Sequence, residues 1–188
     1  MGCSELNIVD NPTVEGLSGS YKYDDEGTKA KENIMVQDGK VVTLLSDCKT
    51  ASIQGVASSG NARSVSYKDI PIVRTSNMFI KQGSNSISKL INEVENGYYA
   101  KDVLYGHHYN GKFIFRPKQF FELKEGVIRN EVLPPNITGD IMSVLKDIKI
   151  GNDLQMNDSG VCHKREQRSL PISISSPSIL LKGVAIEN

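Results

Sequence analysis

Two-residue turn signals between short apolar runs are the feature that most limits the possible folds of this chain. Asp38-Gly39 lies in the middle of Asn33–Leu45, and Asn110-Gly111 and Glu125-Gly126 divide the stretch Tyr98–Val132. Asp-Gly and Asn-Gly pairs supply the positive φ angles that a tight hairpin turn requires. The chain is therefore predicted to consist mainly of antiparallel strands.

The C-terminal stretch also has the alternation of a strand. Ile172 and Ile174 would point to one face, and Ser173 and Ser175 to the other. We expect Ile179–Ile186 to form one final strand that closes the domain.

Two segments carry an apolar stripe with the helical spacing i, i+3, i+4 and i+7. The first stripe is Ile87, Leu90, Ile91 and Val94, and the second is Ile141, Val144, Leu145 and Ile148. A capping residue precedes each stripe and a glycine follows it. The candidate N-caps are Ser84, Ser86, Thr138 and Asp140, and the candidate ends are Gly97 and Gly151. The predicted fold class is α+β, predominantly antiparallel β-sheet of barrel-like or sandwich-like form, with two short amphipathic helices.

Length and composition narrow the class of protein further. The 188 residues are expected to form a single domain, with residues 1–20 as its opening segment. Lys and Arg total 22 and Asp and Glu total 22, which argues against nucleic-acid binding because that requires a basic face. No apolar stretch approaches the roughly 20 residues of a membrane span. Three cysteines are too few for a disulfide framework, so we expect a reducing, cytoplasmic setting.

Cys162 is the candidate metal ligand of the chain. A thiolate binds zinc strongly, but a catalytic zinc usually takes three protein ligands and a water, so one cysteine is not a complete site. His107 and His108 are neighbours and would point to opposite faces of a strand, and His163 has the same relation to Cys162. By residue type alone, a lone cysteine is more often a buried or inert thiol than a metal ligand.

Several polar residues could bind substrate or could simply stabilise loops. Asp24-Asp25-Glu26 could bind a metal or a peptide amine, or could form a solvated turn. Arg63 and Arg74 could pair with the carboxylate of a bound peptide or with surface carboxylates. Asn61 and Asn77 could satisfy the backbone groups of loops.

Six runs of residues, taken in order, resemble the C-terminal half of TldD-type metallopeptidases, the TldD/PmbA family that is also called modulator of DNA gyrase. The runs are Asp24-Asp25-Glu26-Gly27, Gly60-Asn61-Ala62-Arg63, Pro71-Ile72-Val73-Arg74-Thr75-Ser76-Asn77, Gly97-Tyr98-Tyr99, Gly151-Asn152-Asp153 and Gly160-Val161-Cys162-His163-Lys164-Arg165-Glu166-Gln167. The resemblance covers the chain from about Ile8 to Ile186.

The resemblance implies that Cys162, in the family's G-x-C-x-K-x-x-Q run, ligates zinc. PmbA-like partners lack this cysteine, so its presence places the chain on the TldD side. Lys164 and Gln167 would support the cysteine loop or orient substrate.

The resemblance also implies that the chain is half of an active site. The family's catalytic helix, H-E-x-x-x-H, lies in an upstream domain and has no equivalent here, so no catalytic residue is expected in this chain. Zinc would bind only if histidines from another domain or chain completed the ligand set. The expected partners are a polypeptide with H-E-x-x-x-H, a TldD/PmbA-type subunit with which it forms a dimer, and a peptide substrate.

The expected activity is therefore proteolysis of unfolded or leader peptides by the assembled protein, with the chain inactive alone. The alternative is a non-catalytic module for peptide binding or dimerisation, or a degenerate family fragment. Two departures bear on this choice, since the family usually has glycine where this chain has His163 and Glu166. If φ must be positive at those positions, both side chains would strain the cysteine loop.

Overall fold

The computed structural model describes residues 2–156 and 160–187, which divide into two compact units. The first, here called the hairpin unit, contains the chain up to Glu5, Gln82–Asp153 and the segment from Ser178 onward. The second, here called the cysteine unit, contains Leu6–Lys81 and Leu154–Pro177. Every candidate metal-binding or substrate-binding residue of the sequence analysis lies in the cysteine unit. The expectation of a single domain stays a prediction.

Strands far outnumber helices among the described residues. In chain order the strands are β1 (Ile8–Asp10), β2 (Asn33–Gln37), β3 (Lys40–Val41), β4 (Ala62–Arg63), β5 (Ile72–Val73), β6 (Asn77–Ile80), β7 (Asn96–Tyr109), β8 (Lys112–Lys124), β9 (Val127–Val132), β10 (Asn136–Asp140), β11 (Lys149–Ile150), β12 (Val161–Lys164), β13 (Gln167–Pro171), β14 (Ser173–Ser175), β15 (Ile179–Leu180) and β16 (Ala185–Glu187). The helices are α1 (Cys48–Gln54), α2 (Ile87–Asn92) and α3 (Ile141–Val144). The predicted α+β class with mainly antiparallel sheet is confirmed, and no sheet closes into a barrel within these residues.

The cysteine unit is built on a five-stranded sheet with the order β14-β6-β1-β2-β3. All its pairs are antiparallel except β14 with β6, which run parallel. Two short antiparallel pairs, β4–β5 and β12–β13, accompany this sheet. The central strand is β1, because it pairs with β2 on one side and β6 on the other.

The interior of the cysteine unit is unusually polar, with more buried polar side chains than apolar ones. The buried polar residues are Asp10, Asp24, Asn33, Ser46, Ser59, Asn61, Arg63, Arg74, Ser76, Asn77, Ser173 and Ser175. In keeping with this polar interior, both serines of β14 are buried and Ile174 is 47% exposed. The alternation predicted for Ile172–Ser175 holds only for the three strand residues, since Ile172 precedes β14 and is 4% exposed, unlike Ile174.

The hairpin unit is built on the sheet β16-β10-β8-β7, with β9 paired to the remaining part of β8. All these pairs are antiparallel. Its buried apolar residues are Leu90, Phe120, Leu123, Ile137, Val144, Ile148 and Ile150. Strand β7 is an edge strand, since β8 is its only partner among the described residues, and its ladder is interrupted by a bulge between Val103 and Tyr105.

All three predicted hairpin turns are confirmed. The turn residues have positive φ angles: Asp38 50° and Gly39 72°, Asn110 48° and Gly111 76°, Glu125 51° and Gly126 73°. They join β2 to β3, β7 to β8 and β8 to β9. The turn residues, which can be recognised in the sequence, thus fix the register of the strands that they join.

The expectation of two helices was wrong, because the structure has a third, α1. Asp47 caps it by accepting a hydrogen bond from Thr50 N, and Thr50 reciprocates in a capping box. Gly55 ends it in the left-handed conformation with φ 67°. These two signals were in the sequence, but α1 buries only Ala51, so it has no apolar stripe.

The helix starts were predicted correctly and the helix ends were not. Ser86 and Asp140 are the N-caps of α2 and α3. Both helices end early because the following residues pair as strands: Gly97 lies within β7, and Gly151 forms an isolated bridge with Asn85. No helix among the described residues is long and apolar enough to cross a membrane.

The single final strand predicted over Ile179–Ile186 was also wrong. The segment forms two separate strands, β15 and β16, that pair with β11 and β10 respectively. Gly183, with φ 70°, lies between them and turns the chain.

We expect Leu123→Ala to lower the free energy of unfolding by roughly 2–5 kcal/mol, because it leaves a cavity in the core of the hairpin unit. Leu123 is only 4% exposed on β8. Leu133→Ala is the control, since Leu133 is 84% exposed and should change stability by less than about 0.5 kcal/mol. Urea unfolding followed by circular dichroism measures both, and equal effects would contradict this description of the core.

Candidate metal-ligand site around Cys162

A buried carboxylate, Asp10, organises the polar interior of the cysteine unit. Asp10 is fully buried on β1, and its Oδ1 accepts hydrogen bonds from Asn61 Nδ2 at 2.8 Å and Ser76 Oγ at 2.6 Å. Its Oδ2 accepts from Ser76 N at 2.7 Å. Three donors from two different segments therefore converge on one side chain.

Asn61 extends this network to the loop that carries Arg74. Its Oδ1 accepts from Ser59 Oγ at 2.8 Å and from Asn33 Nδ2 at 3.1 Å. Its Nδ2 also donates to Arg74 O at 3.1 Å, and its own carbonyl accepts from Arg74 N at 2.9 Å. Asn61 thus serves backbone groups of neighbouring loops, as one of the two sequence interpretations predicted.

Asn77 has a similar role at the start of β6. Its Oδ1 accepts from Gly19 N at 3.0 Å, and its Nδ2 donates to Asn11 O and Ser20 Oγ, each at 3.0 Å. A side chain at Gly19 would collide with this arrangement, because a Cβ there would lie 2.4 Å from Ser76 O. Asn77 therefore holds the segment 11–20 against the sheet.

Burial shifts the ionisation of the charged groups in this interior. Burial raises the pKa of Asp10 above its ordinary value of 3.8, although the hydrogen bonds from Ser76 and Asn61 and the charge of Arg63 oppose the shift. Burial likewise lowers the pKa of Arg63, against the influence of Tyr21, Asp10 and other acidic groups that include Cys162. Arg63 also stacks over the ring of Tyr21 at 5.2 Å.

Both arginines donate to backbone carbonyls of the C-terminal segment. Arg63 donates to Thr75 O at 2.6 Å and to Pro171 O at 3.1 Å. Arg74 Nη2 donates to Gln167 O at 2.6 Å and to Cys162 O at 3.3 Å. Neither is in a salt bridge within the described residues, so surface ion pairing does not account for them.

Lys164 and Gln167 tie the hairpin β12–β13 to the segment around β5. Lys164 Nζ donates to Val73 O at 2.5 Å, and Gln167 Nε2 donates to Ile70 O at 2.7 Å. Val65 N donates in turn to Gln167 Oε1 at 3.4 Å. The structure therefore brings the predicted residues Arg74, Lys164 and Gln167 together around the cysteine hairpin.

Cys162 lies on β12, half-buried, opposite Leu170. Its Sγ has no hydrogen-bond partner within residues 2–156 and 160–187, whereas its carbonyl is held by Arg74. The thiol is thus placed on a well-anchored strand without being used by the fold around it.

The two departures from glycine do not strain this hairpin. Neither His163 nor Glu166 has a positive φ angle; within β12, β13 and the turn between them, the residues with positive φ are Arg165 at 54° and Ser169 at 62°. His163 is exposed, and its Nδ1 accepts a hydrogen bond from Ser169 N at 3.3 Å. A side chain at position 163 or 166 is compatible with the backbone found here.

The acidic run Asp24-Asp25-Glu26 does not converge on one point. Asp24 Oδ2 accepts from Ala62 N at 3.1 Å, Asp25 Oδ2 from Ser64 N at 2.6 Å, and Glu26 Oε2 from Cys48 N at 2.8 Å. Each carboxylate satisfies a different backbone donor. Of the two sequence interpretations, the turn is the one that these contacts support.

The described residues contain no group of three or more His, Cys, Asp or Glu side chains that could hold a metal ion. His107 and His108 are exposed on β7 in the hairpin unit. A half-buried thiol without a hydrogen bond fits zinc as one ligand, but the other ligands would have to come from outside these residues.

Asp10 and Ser76 are the organising residues that the sequence analysis missed. The available signal was the run Ile8-Val9-Asp10, in which a carboxylate follows two apolar residues at the end of a short strand. Such a carboxylate is buried only when several donors satisfy it, and those donors lie more than 50 residues away.

Comparison with known proteins places the whole chain in one family. Residues 1–188 match the family model of the PmbA/TldA metallopeptidase C-terminal domain. A metalloprotease of Methanothermobacter thermautotrophicus is 34% identical over 184 residues, which are 96% of this chain and 40% of that protein. A metalloprotease TldD homolog of Buchnera aphidicola subsp. Acyrthosiphon pisum is 32% identical over 188 residues, which are 97% of this chain and 39% of that protein.

Two further comparisons concern zinc and the fold. A relative from Saccharolobus solfataricus, 29% identical over 189 residues, is named zinc metalloprotease TldD homolog, and the match covers 99% of this chain and 42% of that protein. The crystal structure of TldE from Thermococcus kodakarensis has a TM-score of 0.79 at 18% identity and covers all of this chain and 40% of that one. This last likeness shows a shared fold. The chain spans about two fifths of the length of these relatives.

The strand-rich fold and the full-length match together define the class of protein, a metallopeptidase C-terminal domain. Within that class the chain belongs to the PmbA/TldD family. The family identified from the six sequence runs is thereby confirmed.

We expect Asp10→Asn to lower the free energy of unfolding by about 3 kcal/mol, because an amide must turn its NH2 group toward at least one of three buried donors. Asp38→Asn is the matched control. Asp38 is exposed, and asparagine tolerates its positive φ, so the change should stay within about 0.5 kcal/mol. Urea unfolding monitored by circular dichroism compares them, and a loss below 1 kcal/mol for Asp10→Asn would contradict the role given to Asp10.

The cost of Asp10→Asn should also depend on pH, because the pKa of Asp10 is raised in the folded state. The folded protein then keeps this proton to higher pH than the unfolded chain does. The associated stability is fully present below pH 3.8 and decreases as pH rises through the folded-state pKa. The difference in unfolding free energy between the natural chain and Asp10→Asn should therefore be largest below pH 3.8 and reach a lower plateau above that pKa. A difference that grows with pH over this range would show that the pKa is lowered instead.

Proposed function

We propose that this chain supplies the cysteine zinc ligand of a TldD-type metalloprotease and that Cys162 is that ligand. The observation that carries the proposal is a half-buried thiol without a hydrogen bond in the described residues, on a hairpin that Arg74, Lys164 and Gln167 hold to the neighbouring loops. The zinc named in one relative supports the choice of metal.

The remaining zinc ligands and the general base belong, in this proposal, to another domain or another chain. The described residues offer no third ligand near Cys162, and the relatives are about two and a half times as long as this chain. When bound, zinc would activate a water for attack on a peptide bond. The contribution of this chain is to present the Cys162 thiolate at a fixed place.

In this proposal the other predicted site residues have structural roles and do not contact substrate. Asn61 and Asn77 have no exposed surface, and Arg63 and Arg74 are 8% and 2% exposed. A bound peptide would not reach them without rearrangement of the fold. Lys164 and Gln167 keep the hairpin on the segment 70–73 through their contacts with backbone carbonyls.

The substrate in this proposal is an unfolded or leader peptide held in extended form. Among the described residues the five-stranded sheet ends in the strands β14 and β3. An edge strand can bind an extended peptide through its backbone groups, which reads conformation more than sequence. A TldD/PmbA-type subunit is the proposed partner, in keeping with the TldE likeness, and the cytoplasm is the proposed location.

The test is the zinc content and peptidase activity of the chain alone and of the chain assembled with an H-E-x-x-x-H polypeptide. Alone, the chain should hold no stoichiometric zinc and cleave no unstructured peptide, because its described residues do not complete a zinc ligand set. In the assembly, Cys162→Ser should weaken zinc binding by more than about 100-fold, since loss of an outer hydrogen-bond partner already costs 10–100-fold.

Cys48→Ser is the control, because Cys48 is exposed on α1 and should leave zinc affinity unchanged. Tight zinc binding and cleavage by the chain alone would overturn the proposal. Unchanged zinc affinity in Cys162→Ser would do so as well, and peptide binding that is insensitive to a chelator would then favour a non-catalytic binding module.

A further inference from the structure

Arg74 is a buried charge that the surrounding structure satisfies only in part. It is 2% exposed, and only its Nη2 has hydrogen-bond partners, the carbonyls of Cys162 and Gln167. Nε and Nη1 are buried and have no partner in the part of the chain that the structure describes. Because both nitrogens are closed to solvent, bulk water does not satisfy them either.

Such an arrangement is unfavourable for stability taken by itself. Buried donors without partners lose their hydration without compensation, and a buried charge without a counter-charge adds to that cost. An apolar side chain of similar length would avoid both losses. What distinguishes Arg74 from a methionine or leucine is the pair of hydrogen bonds that its Nη2 donates.

The two hydrogen bonds of Arg74 Nη2 join the two strands of the cysteine hairpin. Cys162 lies on β12 and Gln167 on β13, and the pairing between these strands is irregular between Cys162 and Lys164. The ladder alone therefore leaves the peptide group after Cys162 weakly defined. Arg74 Nη2 supplies the missing constraint by holding the carbonyls from both strands at 3.3 and 2.6 Å.

Holding the carbonyl of Cys162 also constrains its thiol. The carbonyl and the Cβ atom share one Cα, and the backbone angles decide which side-chain rotamers are allowed. Arg74 itself is fixed to Asn61 by two backbone contacts, at 2.9 and 3.1 Å, and Asn61 is fixed to Asp10 at 2.8 Å. An unbroken series of hydrogen bonds thus runs from β1 to the cysteine.

We propose that Arg74 is a positioning residue for Cys162, retained at a cost in stability because it fixes the direction of the thiol. The proposal rests on the proposed function, in which Cys162 is a metal ligand. If Arg74 were a purely structural residue, its loss would reduce the order of the hairpin and the stability of the fold together. Loss of Arg74 should loosen the cysteine hairpin and leave overall stability nearly unchanged.

The experiment uses the chain with Cys3→Ser and Cys48→Ser, so that Cys162 is the only thiol. In this background, Arg74→Met should lower the backbone order parameters of Cys162 and Gln167 from about 0.85 to below about 0.6, measured by ¹⁵N relaxation. The thermal midpoint should shift by less than about 4 °C. Alkylation of Cys162 by iodoacetamide should become faster as the hairpin loosens.

Arg63→Met is the matched control. It removes a neighbouring buried guanidinium that contacts Thr75 O and Pro171 O but neither carbonyl held by Arg74. The order parameter of Cys162 should therefore stay high. Arg74→Lys, which keeps the charge but offers a single donor group, should give an intermediate order parameter.

Three results would overturn the proposal. The first is an unchanged order parameter at Cys162 in Arg74→Met, and the second is an equal loss of order in Arg63→Met. The third is failure of both Arg74→Met and Arg74→Lys to fold, which would make Arg74 a requirement of the fold. None of these readouts needs zinc, so they stand apart from the zinc measurements that test the proposed function.

Discussion

The carboxylate of Asp10 is the interaction on which the cysteine unit depends. It lies on the central strand of the main sheet and gathers donors from Asn61 and Ser76, which belong to segments distant in the sequence. A buried carboxylate tolerates no loss among its donors, so it fixes those segments more narrowly than apolar contacts would. The polar interior around Asp10 fixes the positions of these segments at some cost in stability, whereas the hairpin unit has an ordinary apolar core.

The features that the sequence predicted correctly are those with local causes. Asp38-Gly39 and Asn110-Gly111 determine their own turns through backbone angles, and Ser86 and Asp140 cap the helices that follow them. Helix ends depended instead on strand pairing that the local pattern does not contain, as at Gly97 within β7. The buried serines of β14 were unpredictable for a similar reason, because the polarity of the interior comes from distant segments.

For the candidate site, the residues could be predicted from the sequence and their contacts could not. The six sequence runs identified the family and named the residues around Cys162, but the partners of those residues could not be read from them. Lys164 bonds a carbonyl 91 residues earlier, and Gln167 bonds one 97 residues earlier. Polar groups that satisfy distant backbone groups leave no periodic pattern in the sequence, so Asp10 and the contacts of Arg74 became visible only in the folded chain.

The bulge on β7 has a consequence for how this chain behaves in a concentrated solution. A strand of 14 residues with a free edge would be a template for cross-β stacking of one molecule on another. Here the irregular pairing after Val103 and the left-handed residue Asp102, with φ 53°, break that edge into two shorter runs, and Lys101 adds a charge at the break. A neighbouring strand would find a continuous ladder along only part of β7, which is one of the ways in which natural sheets limit pairing at their edges.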